Sequence, residues 1–81
     1  MNLYIIEEVL FDYYDGMVCI KAKSLEHCRE IFSEIFSLRF HYKRYIEEYD
    51  TAIGNGKYTV LKLSRDDKTP VGLVKAIWGG S

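Results

Sequence analysis
The fold turns on SLEHCREIFSEIFSLRFHYKRYIEEYDTAIGNG, Ser24 to Gly56. Leu25, Cys28, Ile31, Phe32, Ile35 and Phe36 step by three and four, as the buried face of a helix requires. Ser24 is a good N-cap, and Glu26 and Glu30 suit the positive end of a helix. The same spacing continues through Leu38, Tyr42, Tyr45, Ile46 and Tyr49. It stops at Gly54-Asn55-Gly56, a C-cap and turn cluster. A single helix over Leu25–Ile53 would be about 43 Å long, whereas a strand of eight residues spans about 27 Å. Ser37 can cap a second segment, so the spacing predicts two helical segments with a bend near Ser37–Arg39. One long helix overhanging its sheet is the alternative, and its free end would suit a dimer or partner surface.

Strand patterns flank this region on both sides. Leu3 to Phe11 places Leu3, Ile5, Val9 and Phe11 on one face and Tyr4, Ile6 and Leu10 on the other. A strand apolar on both faces is central in its sheet or carries a bulge. The Asp15-Gly16 pair that follows is a strong turn signal. Met17 to Lys23 alternates as a second strand, completing a hairpin. After the helices, Lys57 to Arg65 reads as a third strand. Asp66 to Pro70 reads as a loop and Val71 to Trp78 as a fourth strand, with Val71, Leu73 and Ile77 against Val74, Ala76 and Trp78. The expected architecture is α+β, ββα(α)ββ: two hairpins in a mostly antiparallel four-stranded sheet with helices on one face.

The chain has 81 residues, 48% of them hydrophobic and 15% aromatic, with seven tyrosines. These values fit one folded domain over residues 1–78, with Gly79-Gly80-Ser81 as a tail, rather than a disordered segment. The net charge of −1 excludes neither a nucleic-acid binder nor a protein binder. Its distribution is uneven: residues 1–37 hold three basic and seven acidic residues, and residues 38–81 hold eight and five. Cys19 and Cys28 lack metal-site spacing and read as two buried free thiols, which favours the cytoplasm, here of a bacterial host cell. The start, MNLYIIEEVLF, is too short and acidic for a signal peptide. No apolar run approaches the roughly 20 residues that span a bilayer.

Catalytic and cofactor motifs are not evident, and the expectation is a protein that is not an enzyme and takes no cofactor or metal. His27 and Cys28 are sequence neighbours, about 100° apart on a helix, and do not face each other. Glu7-Glu8, Glu47-Glu48 and Asp66-Asp67 are adjacent pairs that read as solvated charges. Gly54-Asn55-Gly56-Lys57 runs helix to strand, the reverse of a phosphate-binding loop.

Two surfaces are candidates for partner binding. In RFHYKRYIEEYD, Arg39 to Asp50, helical spacing puts Tyr42, Tyr45 and Tyr49 within about 40° of Leu38, as a buried stripe. Lys43, Arg44 and Glu47 face outward. Phe40 falls on that polar face near Phe36, flanked by Arg39, Lys43 and Arg44. It is either a core contact made possible by a bend or an exposed anchor. The second surface is the turn holding Asp12, Tyr13, Tyr14 and Asp15, an acidic aromatic tip suited to a basic protein surface.

YIIEEV, a turn rich in Asp and Tyr, and then VCIKAKSLEHCREIF resemble the element order of small phage-encoded proteins. These include anti-CRISPR inhibitors of type I and type II systems. Ala22-Lys23-Ser24-Leu25 and Arg29-Glu30-Ile31 carry the helix entry of that pattern. Cys28, Phe32 and Phe36 depart from its alanine-rich helix. The resemblance covers about the first 36 residues and transfers no particular residue. It implies a non-enzymatic inhibitor that binds and blocks a larger host protein or nucleoprotein complex. The rival expectations are a nucleic-acid-binding module using Arg39, Lys43 and Arg44, and a self-assembling domain, monomer or homodimer, using the helix overhang.

Overall fold
A computed structural model describes residues 1–10, 16–38 and 42–77. Along the chain come β1 (Asn2–Val9), β2 (Gly16–Ala22), α1 (Leu25–Phe36), α2 (Tyr42–Gly54), β3 (Tyr58–Lys62) and β4 (Gly72–Ile77). The α+β class and the element order agree with the sequence patterns, and the described residues form two helices rather than one long rod. Asp12 to Asp15, Arg39, Phe40, Trp78 and the tail lie outside the described residues.

All strand pairs are antiparallel, in the order β3-β1-β2-β4. Only one of the two expected hairpins exists. β1 pairs with β2 from Asn2↔Ala22 to Val9↔Gly16. β3 and β4 do not pair with each other; they lie at opposite edges of the sheet. Residues 63–71 join them by crossing one end of the β1–β2 hairpin. Three strand spacings are about 14 Å, a distance that nine residues cover easily. Placing β1 and β2 centrally pairs the backbone of the two most buried strands on both sides.

Lys21 on β2 pins this crossover. Its ammonium donates to Asp67 Oδ1 at 3.0 Å, to the Asp67 carbonyl at 3.3 Å and to the Thr69 carbonyl at 2.6 Å. The lysine is buried, and these three acceptors match its three donors. Asp67 Oδ1 also accepts from the Thr69 N–H at 2.9 Å. Lys21, then the Thr69 bonds, hold the Asp67 carboxyl below the usual carboxylate range.

β1 is both central and bulged. Its register with β2 shifts between Glu7 and Val9, and Glu8 has φ 57°. The bulge moves Val9 onto the same side as Tyr4 and Ile6, so the simple alternation that placed it with Leu3 and Ile5 is corrected. β4 is also irregular, with a register shift against Cys19 and Ile20. Leu73 therefore pairs with Ile20 and Ala76 with Val18. The two residues share a side, contrary to straight alternation.

One core forms under the helices. Tyr4, Ile6, Val9 and Leu10 of the β1 region and Val18, Ile20 and Ala22 of β2 pack with Cys28, Phe32 and Phe36 of α1 and Tyr49 and Ala52 of α2. Phe32 lies 4.6 Å from Phe36 and 4.7 Å from Tyr49 between ring centroids. Ser24 caps α1 as expected, its Oγ accepting from the His27 N–H at 3.1 Å. His27 Nδ1 in turn accepts from the Lys23 N–H at 3.0 Å, which gives this histidine a capping role. Gly56, at φ +70°, ends the second helix. Its N–H donates to the Ile53 carbonyl, and the Lys57 N–H to that of Ala52. This is the Schellman pairing, which needs a left-handed residue at that point.

Candidate interaction surfaces
The helical break changes the surface expected of Arg39 to Asp50. Ser37 closes α1 instead of opening α2: it has helical φ and ψ, and its Oγ donates to the Glu34 carbonyl at 2.9 Å. The second helix begins at Tyr42 with its own axis, so a stripe counted continuously from α1 loses its phase. Leu38, assigned to the core by that count, is 93% exposed, and Tyr42 is 41% exposed. Ile35 also drifts to the surface. Tyr45 and Ile46 are half-buried, and Tyr49 is buried, so the stripe is real only from Tyr45 onward. Phe36 belongs to the core, its ring edge-on to Tyr45 at 5.9 Å. Phe36 therefore offers nothing to an outward spot.

Of the basic residues expected around Phe40, Lys43 and Arg44 are described, and both are exposed. Arg44 lies 3.8 Å from Glu48 and has its guanidinium 5.2 Å from the centre of the Tyr45 ring. An arginine engaged with a carboxylate one turn along has part of its field cancelled, which weakens it as a phosphate contact. Beside it, Glu8, Arg44, Glu47, Glu48, Thr51, Ala52 and Asn55 line an open groove of about 300 Å³. Two of its three carboxylates are paired, Glu48 with Arg44 and Glu8 with Lys57 at 3.6 Å, which leaves the groove weakly acidic. The described residues contain no group of three or more histidine, cysteine or acidic side chains placed to hold a metal ion. On the other side of α2, Asp50 takes a bidentate bond from Arg29, Nε to Oδ1 at 2.7 Å and Nη2 to Oδ2 at 2.9 Å. This pair ties the two helices together at the surface and lowers the Asp50 carboxyl.

A surface missed by the sequence reading is the face of the sheet away from the helices. The strand registers set its side chains in three rows: Leu61, Leu3 and Lys21; Thr59, Ile5, Cys19 and Lys75; and Glu7, Met17 and Ile77. Leu3, Ile5, Met17 and Cys19 are half-buried, while Leu61 and Ile77 are exposed. The signal was present in β1, which is apolar at Leu3 and Ile5 as well as at Tyr4 and Ile6. Two helices on one side can cover only one of those sets. Cys19 on this open face also corrects the expectation of two buried thiols, because only Cys28 is buried. Burial pushes the Cys28 thiol up, against a smaller opposing effect of Tyr49.

No helix among the described residues is long and apolar enough to cross a membrane. The chain matches no protein-family model, and no curated protein and no solved structure is significantly similar to it.

Proposed function
We propose that this is a small interaction protein that binds a larger host protein or nucleoprotein complex and blocks it, in the manner of the phage-encoded anti-CRISPR inhibitors whose element order it resembles. The observation that supports this reading is the sheet face opposite the helices. A face carrying Leu3, Ile5, Met17, Leu61 and Ile77 in adjacent rows offers apolar area to a partner. Lys75 and Glu7 at its margins supply the polar rim that a specific interface needs. The acidic aromatic stretch Asp12, Tyr13, Tyr14 and Asp15 adds a second contact in this reading. The protein works by occupancy and requires no cofactor.

The test is capture from a bacterial lysate with tagged wild-type protein, Leu61→Lys, Asp12→Lys/Asp15→Lys and Phe40→Ala. The expected result is one prey set held by the wild type and lost, by tenfold or more on the order of 1.4 kcal/mol, with Leu61→Lys. Retention by Leu61→Lys together with loss in Phe40→Ala would move the site to the α2 surface. Micromolar binding to generic DNA or RNA that falls steeply with salt would replace this reading with the nucleic-acid one built on Arg39, Lys43 and Arg44.

A further inference from the structure
We infer that the outer edge of β3 pairs with β3 of a second copy, antiparallel about a two-fold axis at Val60, making one continuous sheet. This edge borders the open face assigned above and shares Leu61 with it, but the inference rests on the backbone of β3 and does not depend on that reading. No strand among the described residues pairs with this edge; Tyr58 at its start packs against the core, but the rest of the strand is exposed on both sides. Val60 is 44% exposed on the helix side and Leu61 is 46% exposed on the open side. The helices make their main contacts elsewhere, α1 with β2 and β4 and α2 with β1.

The hydrogen-bond phase of β3 selects the two-fold. The Leu63 N–H donates to the Met1 carbonyl at 3.1 Å, and the Lys57 carbonyl accepts from the Glu7 N–H at 2.9 Å. Backbone groups alternate direction along a strand. Residues 57, 59, 61 and 63 therefore point at β1, and the N–H and C=O groups of Tyr58, Val60 and Lys62 point outward. An antiparallel copy centred on Val60 sets Val60 against its own copy and Tyr58 against Lys62 in both directions. Every outward donor on the strand then meets an outward acceptor. A centre between two residues would set outward groups against inward ones and is excluded, and a centre on Thr59 or Leu61 would pair only two of the three outward residues within the strand.

The side chains agree with this register. Val60 packs on Val60, Thr59 faces Leu61, and the Lys62 ammonium faces the Tyr58 ring. Lysines at an edge normally discourage strand addition. Here Lys57 and Lys62 fall opposite Leu63 and Tyr58, so no like charges stand directly across the axis. The other edge is built differently. β4 has its register shift at Cys19/Ile20, Gly72 at φ +123° and Pro70 just before it, all of which blunt an edge. Two-fold closure through β3 therefore leaves an assembly of two, not a growing fibre. A five-residue strand buries less than the about 800 Å² per partner of a standard interface, so the association is weak.

Sedimentation equilibrium from about 10 µM to about 1 mM reads the mass directly, across the range where weak interfaces of this size associate. The expected result is a shift from one to two chains with wild type and a single chain throughout with Val60→Lys, which puts like charges on the axis. In the wild type, amide exchange of Tyr58, Val60 and Lys62 should slow with concentration, while that of Thr59 and Leu61 should not change. A monomer at the highest concentration overturns the inference. So does a dimer that persists in folded Val60→Lys. The exchange pattern decides the matter if that variant does not fold.

Discussion

The two faces of the sheet are made by the same strands and by similar residue types, yet they reach opposite ends. On the helix side, Ile6, Val18, Ile20 and Ala22 are sealed off. On the other side Leu3, Ile5, Met17 and Cys19 keep part of their surface in water. Each face also buries one polar group. The Tyr49 hydroxyl on the helix side has no hydrogen bond of good geometry, only the Cys28 thiol beside it, a weak partner. Lys21 on the open side has three acceptors. Helices supply dry contact to the first face. On the second, a nine-residue loop reaches only far enough to satisfy one ammonium.

Truncation should break this symmetry of residue type first. Ile6→Ala should lose about 3 kcal/mol of stability, because the site is closed and leaves a cavity. Ile5→Ala, one residue away, should lose about 1 kcal/mol. Denaturant titration of both reads the contrast, and equal losses would mean that the open face is covered. Lys21→Ala comes next, at about 2 kcal/mol, since it removes a buried ammonium and releases the crossover. The Asp67 carboxyl is held below its ordinary value, so the stability from this pair is full above about pH 4. It is lost as pH falls through the lowered folded value. The gap between wild type and Lys21→Ala should therefore narrow in acid and stay constant from pH 5 to 8.

Thiol labelling compares the faces without mutation. Cys19 should react at least about tenfold faster than Cys28, which burial holds back. Unfolding should abolish the difference, as peptide mapping over time would show. Tyr49→Phe should have the smallest effect, within about 0.5 kcal/mol of wild type, because it deletes a poorly bonded buried hydroxyl and keeps the ring. A loss as large as that of Lys21→Ala would show that the hydroxyl has a strong partner.

Much of this architecture was legible in the residues. Ser24 announced the first helix, Gly54-Asn55-Gly56 announced the end of the second, and the double-sided pattern of Leu3 to Phe11 announced a strand that is central or bulged, of which β1 is both. What could not be read was anything set by distance between elements. Asp66 to Pro70 looks like any loop, and nothing local says that it joins opposite edges rather than neighbours. Leu38 and Tyr42 fit a stripe whose phase is broken by a turn that the spacing alone does not count. The open face was hidden for a related reason: alternation shows that both sides are apolar but not which side the helices will choose. For the expected site the limit was different. Arg44 was correctly placed on the outer side of its helix, but its contact with the Tyr45 ring depends on rotamers that sequence does not encode. Its ion pair with Glu48 was legible as an i,i+4 pair.

The crossover that Lys21 pins has a kinetic consequence. β3 and β4 have no partner in each other, so β3 needs β1 and β4 needs β2 to pair with, and a β1–β2 hairpin formed first would receive both. The last quarter of the chain must wait for the first quarter, with both helices looped out between them. Contacts of such long sequence separation slow folding. The hairpin is thus the template, and the outer strands dock onto it as a tethered pair. While it waits, the template exposes two hydrogen-bonding edges and two apolar faces, and the chain is then most vulnerable to joining the wrong partner.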